Sequence, residues 1–243
     1  MPIEEQILIQ YGQVYPSLSK IDNSAESPLF RPLDDFYSIK RAKDCSEKLF
    51  GLLHAVADLV DATMSLAPIL EDDNTPPLVQ YESAKSALDA LLSNEEENPM
   101  HIDYIYKCCR LAALLTARHI DTGTPFSELD EAIVGELKAA LKKTDIGNTW
   151  GQLSGVLLWI CLVGVSAATI GKPQHGYFDT LLRLTMNALV YSSPVFEAST
   201  IATANFVKIK NMSGIPRIRA AALQQASNHG MGQKLTKVDN LLL

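Results

Sequence analysis

Asp103, Tyr106, Arg110 and His119 stand at helical intervals in the segment MHIDYIYKCCRLAALLTARH. A carboxylate, a phenol, a guanidinium and an imidazole on one helix are the materials of acid–base chemistry on a small substrate. Tyr106 and Arg110 are one turn apart and suit a carboxylate or phenol ligand, although an arginine at such a place also serves to bond the end of a neighbouring helix. His54, Asp58 and Asp61 offer an imidazole and two carboxylates at i, i+4 and i+7, the pattern of a metal or acid–base face and equally of a solvated polar face. Without a second ligand cluster, no metal site is expected. A third group is aromatic: Trp150, Trp159, Tyr177, Phe178 and Tyr191 could line a pocket between helices or simply fill a core.

The remaining signals exclude more than they assign. Four cysteines at 45, 108, 109 and 161 include one adjacent pair and no C-x-x-C, so neither a disulfide framework nor a zinc site is indicated. NHGMGQK at 228–234 lacks the strand and spacing of a phosphate loop. No cofactor is expected. The 243-residue chain carries a formal charge of −7 and a pI near 5.2. That balance argues against direct nucleic-acid binding by this chain. The first residues, MPIEEQILIQ, are acidic where a secretory signal is basic, which points to an intracellular protein.

Periodicity then supplies the elements that must hold these groups. Pro2, Pro16, Pro28 and Pro32 punctuate residues 1–38, read as an extended arm over the surface. Leu49, Leu52, Leu53, Val56, Val60, Met64 and Ala67 mark one face of a helix within 39–70, stopped by EDDNTPP. Shorter helices follow at 81–92 and from about 100. Ser127 and Asp130 resemble an N-cap pair for a helix whose buried face is Leu129, Ile133, Leu137 and Leu141. Phe178–Val190 and a segment opened by Pro194 complete the set. No stretch alternates long enough to be a strand. The expectation is an all-α single domain of about seven helices spanning 39–210, with a basic, partly disordered tail at 211–243.

The run 146–171 contains no charged residue. Its dense part, Val156–Ala168, is shorter than the roughly 20 residues of a membrane span. A helix at about 152–170, apolar all round, is therefore expected at the centre of a bundle, with Gly155 and Gly164 admitting close neighbours and no membrane partner.

Two segments resemble a known family. YKCCRLAALLTA at 106–117 and LKKTDIGNTWGQLSGVLLWICLVGVSAA at 141–168 are similar in order and spacing to motifs in the regulatory domain of fungal-specific zinc-cluster transcription factors. The likeness runs over roughly 35–210. It implies transcription regulation in the nucleus, in a context such as secondary metabolism, through a homodimer or other protein partners and with response to a hydrophobic small molecule. The six-cysteine DNA-binding module of that family is absent. The chain is accordingly expected to be either a piece of a longer regulator or a domain that works without its own DNA reader. The alternative function is a small isomerase- or cyclase-type enzyme, or a carrier for a hydrophobic metabolite, resident in the cytoplasm; Asp103, Tyr106, Arg110 and His119 would be its catalytic residues. Regulation is the favoured reading, because no recognisable catalytic constellation is present.

Overall fold

A computed structural model of the chain describes residues 24–32, 35–66, 76–93, 102–146, 149–190 and 193–212. Among them are seven α-helices and no strand: α1 (Glu47–Leu66), α2 (Pro76–Ser93), α3 (Tyr104–Thr122), α4 (Glu131–Leu141), α5 (Ser154–Ala167), α6 (Pro173–Val190) and α7 (Ser193–Asn211). Short 3-10 turns lie at Ile39–Arg41 and Phe126–Glu128. The all-α expectation holds.

α5 is the axis. Its residues from Ser154 to Gly164 are buried without interruption, and α3, α4, α6, α7 and the Phe126–Glu128 turn all pack on it. A helix enclosed on every side gains nothing from an amphipathic pattern, which explains its uniform apolarity. Gly164 permits the closest of these contacts: a Cβ there would lie 2.4 Å from Cδ1 of Phe178 on α6. Gly155 admits a different neighbour, the extended backbone of Ala25. α1, packed on α2, α3 and α7, is long and apolar enough to cross a membrane by composition, yet 61% of its apolar window is buried within the fold.

The described part of the N-terminal arm is an interior element rather than a surface strap. Ala25, Glu26, Ser27 and Leu29 are buried. The carbonyl of Ser24 accepts from the Gly155 amide at 2.7 Å and from the Ser154 hydroxyl at 2.9 Å. Ser24 thus supplies an acceptor at the N-terminal end of α5, where helix amides have no intrahelical partner. The Glu26 carboxylate accepts from the amides of Ser38 and Ile39 at 2.8–3.0 Å, capping the first 3-10 turn. Asn205 of α7 donates to the Leu29 carbonyl at 2.9 Å. Backbone and capping bonds hold this segment, so it carries no hydrophobic period.

Helix boundaries shift where caps decide them. The first helix begins at Glu47 rather than Ile39, with the Ser46 hydroxyl accepting from the Leu49 amide. Pro76 and Pro77 open α2, earlier than Tyr81, because proline at the first helical position forfeits no bond. Asp130, not Ser127, caps α4 by accepting from Ala132. The buried face of α4 is Val134, Leu137, Ala140 and Leu141, with Leu129 and Ile133 only partly buried.

Candidate functional site

Each residue with chemical potential in the sequence has a definite place. Asp103 is the N-cap of α3, accepting from the Tyr106 amide at 2.9 Å. Tyr106 is buried, with the Lys48 ammonium 4.5 Å from its ring centroid, a cation–π contact. Arg110 donates to the Leu92 carbonyl in the last turn of α2 at 2.9 Å, the helix-end role open to it from sequence. His119, 2% exposed, places Nδ1 2.7 Å from the Thr124 carbonyl and Nε2 3.0 Å from the Ile209 carbonyl. Its ring stacks on Phe126 at 4.2 Å. Asp103 and His119 are separated by about 24 Å of helix rise. The four do not converge on one point.

The other two groups are equally engaged. Asp58 and Asp61 both accept from Arg31, and His54 lies 3.2 Å from Asp35; the polar face of α1 thus receives the arm. No cluster of three metal-ligating side chains occurs among the described residues. Trp150, Trp159 and Phe178 are fully buried, Trp150 donating to the Thr144 hydroxyl at 3.0 Å. Tyr177 meets Phe178 edge-on at 5.4 Å, and Lys138 and Lys142 lie 5.6 Å from its ring centroid. Tyr191 lies outside the described residues. Trp150, Trp159, Tyr177 and Phe178 are not among the residues lining the two cavities described next.

A cavity lies near each end of α3. The one at its N-terminus, about 500 Å³, is lined by Lys43 and Lys143 together with Asp44, Asp103 and Asp145, so its charges compensate one another. Cys45 lies on its wall, but burial, reinforced by Asp103, pushes the thiol up to about 11. At neutral pH it is a poor nucleophile.

The second cavity, about 610 Å³, opens where α5 ends, α6 begins and α7 ends, beside the turn of Phe126. Phe126, Val165, Ala168 and Ile170 supply its apolar wall, and Ser127, Ser166, Thr169, His175, Lys210 and Asn211 its polar groups. Gly171, at φ 87°, turns the chain between α5 and α6 in a conformation that strains other residues. Pro173 then opens α6 at its first position.

Compared with known proteins, the chain matches no family model, no curated protein and no solved structure.

Phe126 links the second cavity to the anchor of α7: one of its faces stacks on His119, while its ring also meets Phe206 of α7 at 5.6 Å. His119 contacts the Ile209 carbonyl, adjacent in sequence to the cavity residues Lys210 and Asn211. Nothing in the sequence marks Ser166, His175 and Lys210 as one site, because three separate segments bring them together. The available local signal was the Gly171-Lys172-Pro173 turn, which marks where two helices part and leave space.

Proposed function

We propose that this chain is a regulatory and interaction domain that controls transcription through protein contacts and responds to a small molecule. The carrying observation is the second cavity, whose wall includes the end of α7 at the point where His119 and Phe126 tie that helix to the bundle. A ligand contacting both α7 and the α5–α6 turn favours the conformations that hold them together. α7 has an outer face to transmit the effect: Phe196 and Val207, eleven residues and about three turns apart on one side of the helix, are each more than 40% exposed. Such apolar exposure on the last of the described helices suits contact with another protein.

Two further points favour regulation over catalysis. Asp103, Arg110 and His119 are occupied with backbone groups, and an acid and a base about 24 Å apart along a helix do not act on one reacting atom. The similarity of 106–117 and 141–168 to fungal regulatory domains points the same way, since in this fold those segments are α3 and the approach to α5 with α5 itself, the packing centre.

The test is to fuse residues 1–243 to a heterologous DNA-binding module in a fungal reporter strain. Altered transcription, lost with Phe196→Glu and Val207→Glu while the folded domain persists, is the expected result. A reporter that ignores the fused domain with and without metabolite extracts overturns the proposal.

A further inference from the structure

We infer that the cavity between the ends of α5 and α7 binds a small organic anion, a carboxylate or phosphate monoester carried on an apolar body. This deepens the ligand-responsive reading and rests on it for the site's purpose. Its chemistry comes from the lining. Six polar residues face the space, and all six can donate hydrogen bonds: the hydroxyls of Ser127, Ser166 and Thr169, the His175 imidazole, the Lys210 ammonium and the Asn211 amide. No Asp or Glu is among the described lining residues, in a chain with a formal excess of seven negative charges. The cavity is thus an electropositive place on an acidic protein.

Neither Lys210 nor His175 forms an ion pair with a described residue, whereas nearby Lys172 is taken by Glu131 at 2.6 Å. That pair engages Glu131, the acid in the first turn of α4. The first turn of α6 opens here as well, adding the positive end of an 18-residue helix. Phe126, Val165, Ala168 and Ile170 form the opposing apolar surface, and Ile170 is 85% exposed. An apolar body covering Ile170 is removed from water while its head group meets Lys210 and the hydroxyls. A volume of about 610 Å³ is within the usual range of small-molecule sites.

The experiment is isothermal titration of the full chain with four probes of matched tail: octanoate, octyl phosphate, octanol and octylammonium. The expected result is saturable one-to-one binding of an anionic probe, at least about fivefold tighter than octanol, with octylammonium weakest. Octanoate against octyl phosphate distinguishes the two head groups. Lys210→Glu weakens the anion by about tenfold or more and Lys210→Gln by less, both with unchanged unfolding midpoints because the side chain is exposed. Equal binding of octanol and the anions, anion binding indifferent to Lys210→Glu, or no saturable anion binding overturns the inference. The readout is binding alone. A silent reporter with intact anion binding therefore indicts the regulatory reading, and the converse indicts this site.

Discussion

The α-carbon of Gly155 faces the backbone of Ala25 so closely that a Cβ would sit 2.4 Å from the Ala25 carbonyl carbon and 2.5 Å from its oxygen. Backbone cannot rotate away as a side chain does, and the adjacent Ser24 carbonyl is fixed by two bonds from α5. Gly155→Ala is therefore expected to destabilise the protein by about 3 kcal/mol despite the better helix propensity of alanine. Gly135→Ala in α4 is the control, since nothing lies within 4 Å of its Cβ position, and it should stabilise by up to about 1 kcal/mol. Urea denaturation of both variants decides; equal effects would refute the arm's placement.

Glu26 makes the same arm part of the interior. It is 5% exposed, and its carboxylate accepts from two amides at the start of the first 3-10 turn. Glu26→Ala leaves those amides without an acceptor and should cost about 2–3 kcal/mol, a loss reduced by Glu26→Gln, which retains one acceptor oxygen. If neither variant shifts the chemical-denaturation midpoint, the carboxylate is not capping in solution.

These two residues show where the sequence was readable and where it was not. Leu49, Leu52, Leu53 and Val56 announce α1 because a half-buried helix leaves a period in the chain, and the uninterrupted apolarity around Trp159 announces an enclosed helix. Ser24–Glu26 leave no period, since the buried Glu26 carboxylate reads as a solvated side chain on any hydropathy measure and the backbone carbonyl of Ser24 leaves no mark in the sequence. The second cavity is hidden for another reason: Phe126, His175 and Lys210 meet only through tertiary packing. Arg110 lies between these cases, its helix-end bond to Leu92 being one of two roles its position allowed.

The thiols make the fold sensitive to alkali. Burial, then Asp103, pushes Cys108 up to about 12, and burial raises Cys109 and Cys161 far above the ordinary value of 9.0. Between pH 9 and 12 the unfolded chain releases thiol protons that the folded one retains, so stability falls as pH rises. Below pH 9 both states hold these protons and the thiol contribution is complete. Denaturant titrations should show a decline steeper than that of a variant with Cys108 and Cys161 replaced by Ala, each measured against its own value at pH 8. At pH 8 a native-state thiol reagent should modify Cys45 slowly and the buried three only on unfolding. Rapid native labelling of more than one thiol contradicts this packing.

His119 joins α3 to the last turn of α7 and to the Phe126 turn. Its ring lies within bonding distance of the carbonyls of Thr124 and Ile209 and stacks on Phe126; a neutral imidazole donates to one carbonyl at a time. His119→Ala removes that donor and the stack, and should cost about 2–4 kcal/mol. The local effect is more telling than the global one. Amide exchange should accelerate in the last turn of α7 and around Thr124 and Phe126 before it does in α5, because the bonds and the stack lost are to Ile209, Thr124 and Phe126. Anion binding should weaken with it, since Lys210 follows Ile209 directly. A uniform rise in exchange across all seven helices would make His119 a general core residue and remove the coupling between the cavity and α7.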